Sequence, residues 1–289
     1  MGRLRFVLTR DAREFRARTE RLLSARLECN ILATVLMNVL QGLHCDPLFA
    51  YGLAETGDEV AFAALRTPPW PLLASPLAGA DADELVELWL REDPDVPGVS
   101  GVPETTGAIG AAWARLTGGV TRRTMSEGMH VLEEVRDPPR PAGGTLRAGH
   151  DGERELLVGW IREFALETGL HGAAQAEAMV DAHLRRGTLR VWDDGGPASV
   201  IGVHPEIAGV VRIGPVYTPP PLRRRGYAGS AVAAASRRAL GAGARRCMLF
   251  TDLANPTSNK IYAEVGYRRI ADWEEIALEP PPRAGEARA

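Results

Sequence analysis

Three consecutive arginines precede a glycine-containing turn and an alanine-rich segment in the stretch RRRGYAGSAVAAASRRAL, which starts at residue 223. The alanine-rich part predicts a helix, and the first turn of a helix leaves backbone N–H groups unpaired and carries partial positive charge. Gly226 and Gly229 let the backbone approach a ligand closely, and Ala228 is too small to obstruct it. Because arginine pairs well with phosphate oxygens, the stretch predicts a site for a phosphorylated ligand. The alternative is a solvated basic turn before an ordinary helix.

The strand expected before this turn carries a proline in its interior. In the segment VVRIGPVYT, residues 210–218, Pro215 cannot donate a hydrogen bond to a strand ladder. If the strand separates from its neighbour there, the backbone of Val216 and Thr218 is available to an extended ligand with amide groups. The turn lacks both the Gly-Lys-Ser/Thr end of a nucleotide triphosphatase loop and the GxGxxG pattern of a dinucleotide loop, which argues against either of those sites.

The elements that must position this turn occur in a regular order in the second half of the chain. Hydrophobic periodicity predicts a strand TLRAG, two helices, three strands that end at the turn, the alanine-rich helix, the strand RCMLFTD, a short helix SNKIYAEV and the strand WEEIAL. The first half starts with the strand RFVLT, a helix capped by Asp11 and a second helix. A hairpin over 48–67, a helix over 81–93, another helix in AIGAAWARLTGG and the strand GMHVLEEV follow.

A proline- and glycine-rich stretch, RDPPRPAGG at residues 136–144, separates the two halves and is the best candidate for a linker. Length alone favours two domains, since 289 residues is long for one core. Both halves share one plan of strands and helices, so we expect a duplicated fold. The alternative is a pair of unrelated α+β domains whose element orders match by chance.

Composition and charge argue against several classes of function. A net charge of −3 and a pI near 6.1 disfavour a nucleic-acid binder, which needs a basic surface. The most apolar stretch, ILATVLMNVL, is too short to cross a bilayer, and the N-terminus lacks the apolar core of a signal peptide. The cysteines are widely spaced without a CxxC pair, so we expect neither a disulfide framework nor a metal site. The sequence therefore predicts a cytoplasmic protein without nucleic-acid or membrane partners.

Two motifs of the second half resemble those of the GNAT superfamily, the acyl-CoA-dependent N-acyltransferases. RRRGYA is similar to the Arg/Gln-x-x-Gly-x-Gly/Ala loop of that family, and LFTDLANPTSNKIYAEVGYRRI resembles the strand, Asn-containing loop, tyrosine-bearing helix and Gly-Tyr/Phe end that follow the loop. The resemblance implies an α+β fold with a degenerate GNAT-like domain at 1–138 and a catalytic one at 145–280. Each would be a mixed, mostly antiparallel sheet flanked by helices, with a splayed central strand pair in the C-terminal domain.

The resemblance also implies acetyl-CoA as the cofactor. In the family the loop amides hold the CoA pyrophosphate, and the splayed strand pairs with pantetheine. The resemblance therefore implies that residues 224–229 bind the pyrophosphate and that Val216 to Thr218 pair with pantetheine. Two asparagines of the second motif have alternative roles, because Asn255 can cap the next helix and Asn259 can orient a neighbouring tyrosine or face solvent. The implied cofactor-binding residues are Val216, Tyr217, Thr218, Arg223, Arg224, Arg225, Gly226, Tyr227, Ala228, Gly229, Ser230, Asn255 and Asn259.

Tyr262 matches the tyrosine that, in the family, donates a proton to the departing CoA thiolate. A phenol with a pKa of about 10 is protonated at neutral pH and lies close enough to a thiol pKa of about 8.5 to share its proton. The alternative is a packing residue of a short helix. A general base is harder to find, since many members of the family place a glutamate on the splayed strand, whereas the segment VVRIGPVYT has Arg212 and no acid. Glu167 and His171 fall where the acceptor loop of the family lies and are candidates for contact with the acceptor.

The counterpart of the phosphate loop in the first half is ASPLAGADADELVELW, residues 74–89. It has Gly79 but no arginine, and Asp81, Asp83 and Glu84 occupy the helix start. Carboxylates there would repel a pyrophosphate. Trp113 stands where the proton donor of this half would be. We therefore expect that the first domain is degenerate and binds no cofactor. It would support the second domain or form one wall of its acceptor site.

Taken together, the residues and the resemblance predict an N-acetyltransferase. It would transfer an acetyl group from acetyl-CoA to a primary amine of a small molecule or peptide by direct attack, with Tyr262 as the acid. The alternative is a non-catalytic acyl-CoA-binding sensor or scaffold, which the missing strand glutamate supports and Tyr262 opposes. We expect a monomer or a homodimer.

Overall fold

The computed structural model describes residues 3–44, 46–54, 57–169 and 174–281. Within these residues the chain divides into two compact units. Unit 1 comprises Met1–Glu127 and Asp272–Ala289, and unit 2 comprises Gly128–Ala271. The stretch 136–144, proposed above as a linker, lies inside unit 2, and the chain returns to unit 1 at its last strand.

Strands and helices are interspersed along the described residues. The first ten are β1 (Leu4–Thr9), α1 (Ala12–Ala25), α2 (Asn30–Leu40), β2 (Leu48–Ala54), β3 (Val60–Arg66), β4 (Leu72–Ala74), α3 (Ala82–Glu92), β5 (Gly98–Gly101), α4 (Pro103–Thr117) and β6 (Val120–Leu132). The others are β7 (Thr145–Ala148), α5 (Arg154–Thr168), α6 (Ala176–Arg186), β8 (Leu189–Asp193), β9 (Pro197–Val203), β10 (Val210–Tyr217), α7 (Tyr227–Gly241), β11 (Arg246–Asp252), α8 (Pro256–Val265) and β12 (Arg268–Glu279).

Unit 1 is a mixed sheet with the strand order β1-β2-β3-β4-β5-β12. Its pairs are antiparallel except for β4 and β5, which run parallel with Leu72 opposite Val99. The cap predicted for α1 is confirmed, because a carboxylate oxygen of Asp11 accepts hydrogen bonds from the backbone N–H groups of Arg13 (2.8 Å) and Glu14 (3.2 Å). The hairpin predicted over 48–67 is also confirmed and forms β2 and β3.

Unit 2 has the strand order β11-β10-β9-β8-β7. Strands β7 to β10 form antiparallel pairs, whereas β10 and β11 run parallel. This parallel pairing covers only Val210 to Arg212 of β10, although β10 continues to Tyr217. The two strands therefore separate before the chain reaches the arginine-rich turn, and the predicted splay of the central pair is confirmed.

The helices of unit 2 pack on its sheet through two apolar clusters. Small residues of α7, among them Ala231, Val232 and Ala235, are buried in the first cluster. The α5 and α6 helices form the second cluster around Leu157 and Val180. The alanine-rich composition of α7 thus lets this helix lie close to the strands that lead into the turn. None of the helices in the described part of the chain is long and apolar enough to cross a membrane.

Candidate functional site

The turn before α7 presents a row of backbone N–H groups. Arg224 and Gly226 have left-handed backbone conformations, with φ of 64° and 86°, and α7 begins directly after Gly226. Alternation of left- and right-handed residues turns successive N–H groups toward one concavity, which suits an anion. The first bond of the helix runs from the Ser230 N–H to the Gly226 carbonyl at 3.0 Å. Within the described residues, the N–H groups between these two positions have no protein acceptor, so they can bind an anionic ligand.

The segment around Arg140 lies against this turn. A Cβ atom added to Gly226 would be 2.6 Å from the Arg140 carbonyl oxygen, so the glycine is required there by the protein itself as well as by its φ. The N–H of Ala142 donates to the Ser230 hydroxyl at 2.8 Å. Sequence reasoning assigned Gly226 and Ser230 to the ligand alone and missed these contacts, because nothing in the pattern RDPPRPAGG indicates which helix it touches.

The three arginines of the turn differ in their partners. The Arg223 guanidinium donates to both carboxylate oxygens of Glu167, at 2.8 and 2.7 Å, and its Nε donates to the Thr218 carbonyl at 2.8 Å. Arg224 and Arg225 are exposed. Arg225 makes a long contact of 3.4 Å with the Pro221 carbonyl and also interacts with the Tyr227 hydroxyl. A ligand at the turn would therefore meet the charge of Arg224 and Arg225 first, while Arg223 is already paired with a carboxylate.

Glu167, a candidate for acceptor contact, is part of a polar cluster between α5 and β10. The buried Tyr217 hydroxyl lies 2.9 Å from a carboxylate oxygen of Glu163 and 3.1 Å from one of Glu167. Burial and these two carboxylates raise the pKa of Tyr217 above its ordinary value. The phenol thus stays protonated at neutral pH, and its ring faces the protein interior. His171, the other candidate, lies outside the described residues.

The backbone at the end of β10 has one edge directed away from β9. The Tyr217 carbonyl accepts a hydrogen bond from the Ser199 hydroxyl of β9 at 2.7 Å, so the Tyr217 peptide groups face β9. Since peptide groups alternate along a strand, those of Val216 and Thr218 face the gap beside β11. The Thr218 carbonyl is bound by Arg223. Val216 is therefore the residue of this segment best placed to pair with amide groups of an extended ligand.

The second motif lies on α8 and in the loop before it. The side-chain oxygen of Asn255 accepts the Ser258 N–H at 3.1 Å, so Asn255 caps α8. The Asn259 side-chain nitrogen donates to the carbonyls of Asp252 (3.1 Å) and Leu253 (3.3 Å), which ties α8 to the end of β11. Tyr262 is 9% exposed and belongs to the same apolar cluster as the core side of α7. The ring of Tyr262 is thus held firmly beside the helix that carries the turn.

Comparison with protein families agrees with this geometry. Residues 140–267 match the model of the acetyltransferase (GNAT) family. This segment is a GNAT acetyltransferase domain. It contains the turn, the separated strands and α8. The match to this family indicates acyl transfer from an acyl-CoA. No curated protein sequence matches the chain.

Several solved structures share the fold of the whole chain. A GCN5-related N-acetyltransferase from Sphaerobacter thermophilus is 18% identical, with 96% of both chains covered and a TM-score of 0.58. One from Kribbella flavida is 18% identical, covers 89% of this chain and 97% of its own, and has a TM-score of 0.59. A tandem GNAT protein from the clavulanic acid biosynthesis pathway is 14% identical, covers 96% of this chain and 99% of its own, and has a TM-score of 0.57. The predicted fold, two GNAT-like α+β domains, is confirmed.

One residue of the GNAT domain that we expected at the cofactor has a side chain with a structural role. The Tyr227 ring is buried, and its hydroxyl donates to a carboxylate oxygen of Asp194 at 2.8 Å. Only the backbone N–H of Tyr227 remains for a ligand. No local sequence pattern predicts this contact, because Asp194 lies in a turn far from Tyr227 along the chain.

The segment of unit 1 that we expected to correspond to the turn has acidic side chains engaged within the unit. A buried carboxylate oxygen of Asp81 accepts the Leu4 N–H at 3.0 Å, and Asp83 pairs with Arg115. A Cβ atom added to Gly101 of β5 would be 3.0 Å from the Ala74 carbonyl oxygen of β4, so these two strands stay close where β10 and β11 separate. Trp113, which we expected at the position of a proton donor, is a core residue of unit 1.

The cap at Asn255 gives a stability prediction for the GNAT domain. Asn255→Ala should lower the free energy of unfolding by about 1 kcal/mol, because the Ser258 N–H loses its acceptor. Asn255→Asp keeps an acceptor at that position and should unfold at the same urea concentration as the wild type. If Asn255 also binds the cofactor amides through its NH₂ group, the Asp variant will bind CoA more weakly despite its normal stability. Equal unfolding midpoints for the Ala variant and the wild type would show that the cap contributes nothing.

Proposed function

We propose that the GNAT domain transfers an acetyl group from acetyl-CoA to a primary amine by direct attack. The observation that carries this proposal is that two structural features, a helix N-terminus and a strand separation, lie next to each other. A helix N-terminus with unpaired N–H groups stands at the end of a strand that has separated from its parallel neighbour. The first feature suits a pyrophosphate, and the second suits the amide groups of pantetheine.

The N–H groups and the charge around the turn suit the phosphates of CoA. The N–H groups of Tyr227, Ala228 and Gly229 would hold the pyrophosphate, with Arg224 and Arg225 as exposed partners for its charge. The Val216 peptide groups would pair with pantetheine along the gap between β10 and β11. When bound, acetyl-CoA supplies the acetyl group as a thioester.

Tyr262 would act as the general acid. The amine nitrogen forms a bond to the carbonyl carbon, the carbon–sulfur bond breaks, and the Tyr262 hydroxyl gives its proton to the leaving sulfur. The burial of the Tyr262 ring supports this role, because a fixed phenol is presented at one position rather than spread over many rotamers. The proton lost by the amine passes to water, since β10 carries Arg212 and no carboxylate.

Unit 1 would bind no CoA. Asp81 and Asp83 occupy the start of α3 with negative charge, and the close approach of β4 and β5 at Gly101 leaves no gap for pantetheine. We therefore propose one cofactor site per chain, in unit 2.

The alternative, an acyl-CoA-binding sensor or scaffold, is favoured by the absence of an acid on the described strand β10 and by the pairing of Glu167 with Arg223. Release of CoA thiol separates the two functions. The protein is mixed with acetyl-CoA and a panel of small amines and peptides, and thiol is followed with a colorimetric reagent. We expect amine-dependent release with at least one acceptor class. Tight CoA binding without release for any amine would favour the sensor.

A further inference from the structure

Strand β10 carries a bulge just after its last pair with β11. Ile213 pairs with Val203 and Val216 pairs with Ile201, so the two residues Gly214 and Pro215 face the single residue Gly202 of β9. A bulge with two residues opposite one bends its strand and interrupts the ladder. The point at which β10 turns away from β11 is therefore the segment Gly214–Pro215.

A histidine side chain holds the carbonyl at this bulge. His204 Nε2 lies 3.0 Å from the Gly214 carbonyl oxygen. Because a carbonyl only accepts, Nε2 must carry the proton, and Nδ1 is then an acceptor. An Arg212 nitrogen lies 3.4 Å from Nδ1 and supplies a donor on that side. Burial, together with the nearby Arg212 charge, lowers the pKa of His204 well below its ordinary value, so the ring is neutral.

The backbone around the bulge is built to receive this contact. A Cβ atom added to Gly202 would lie 2.3 Å from the Gly214 carbonyl oxygen, so only glycine allows that carbonyl to turn over β9. Gly214 itself has a φ of 140°, which other residues rarely adopt. The carbonyl is thus directed to His204, and the following Pro215 has no N–H to offer to β11.

We infer that His204 is a positioning residue for the cofactor site, which fixes the Gly214–Pro215 bulge and so keeps the gap between β10 and β11 open for the pantetheine part of CoA. This inference rests on the proposed function. His204 does not act as a general base in this arrangement, since both ring nitrogens are engaged, one with Gly214 and one with Arg212. The His204 contact acts on pantetheine binding through the conformation of β10. It does not act on the phosphate turn, which follows β10.

Two substitutions separate this role from a general structural one. His204→Leu removes the donor and keeps an apolar side chain, whereas His204→Gln can place an amide N–H near the position of Nε2. Affinity is measured by calorimetry for CoA and for adenosine 3′,5′-bisphosphate, which carries the nucleotide of CoA without pantetheine. We expect His204→Leu to weaken CoA binding by about tenfold while the bisphosphate affinity stays within about twofold of the wild type. His204→Gln should recover most of the lost CoA affinity.

The binding measurements distinguish failure of the positioning role from failure of the proposed function. Unchanged CoA affinity in His204→Leu, equal weakening of both ligands, or a Gln variant no better than the Leu variant would each overturn the positioning role. If the wild-type protein binds neither ligand, the proposed function itself fails. Retained bisphosphate binding in His204→Leu also shows that the variant is folded, so a selective loss of CoA affinity cannot be ascribed to unfolding.

Discussion

Tyr262→Phe should lower the turnover number for acetyl transfer by about 10²- to 10⁴-fold, the usual range for loss of a general acid. The substitution removes one hydroxyl and keeps the ring, which is 9% exposed and packed in the core of unit 2. CoA affinity should change little, because the N–H groups before α7 and the exposed arginines provide most of the anchoring. The rate of the variant should also fall less at high pH than that of the wild type, provided that the amine is already neutral there.

Tyr267→Phe is the matched control for this prediction. Its hydroxyl is buried and hydrogen-bonded to the Ser236 hydroxyl at 2.8 Å, and its ring lies 6.1 Å from that of Tyr262. Removing it leaves Ser236 without this partner and should cost about 1–3 kcal/mol of stability. Turnover of the Tyr267 variant should remain within a few-fold of the wild type. If Tyr262→Phe behaves in the same way with a confirmed acceptor, Tyr262 is only a packing residue.

Ala228→Asp should weaken CoA binding by about 100-fold at low salt. The substitution places a carboxylate at the second residue of α7, where α3 of unit 1 carries Asp83. Two unit charges about 5 Å apart repel by about 3 kcal/mol at an effective dielectric constant of about 20, which corresponds to this loss of affinity. An acid in the first turn of a helix is itself favourable by about 0.3–1 kcal/mol, so the fold should not be weakened.

Ala228→Asn controls for the size of the new side chain. It has nearly the same volume as the aspartate without the charge, and it should retain most of the CoA affinity. The difference between the two variants should shrink as salt is added, because screening weakens repulsion between exposed charges. Equal CoA affinities for the Asp and Asn variants at low salt would place the pyrophosphate elsewhere.

Local sequence signals predicted much of unit 2. The proline within VVRIGPVYT indicated where β10 leaves its neighbour, and the structure ends the β10–β11 pairing at Arg212. In unit 1 the strands β4 and β5 were not located, because they span only Leu72–Ala74 and Gly98–Gly101. Segments so short, and in β5 half glycine, have no periodicity to detect, and the neighbouring strands rather than their own residues make them pair.

Contacts between segments that are far apart in the chain could not be predicted from the sequence. The Tyr227–Asp194 hydrogen bond, the Arg223–Glu167 pair and the approach of the Arg140 carbonyl to Gly226 join residues that no local pattern relates. Gly226 is the clearest example of a residue whose role depends on such a contact. A glycine before a helix suggested room for a phosphate, yet a side chain there would first meet the Arg140 carbonyl. Substitution of Gly226 would therefore disturb the protein as well as the ligand, which makes Ala228 the better test position.

A crystal structure with excess acetyl-CoA tests the central claim most directly. We expect one cofactor per chain, with its pyrophosphate within hydrogen-bonding distance of the N–H groups of residues 227–229 and its pantetheine between β10 and β11. The thioester sulfur should lie within reach of the Tyr262 hydroxyl. Density for the cofactor beside Gly79 in unit 1, or a pyrophosphate remote from the start of α7, would contradict it.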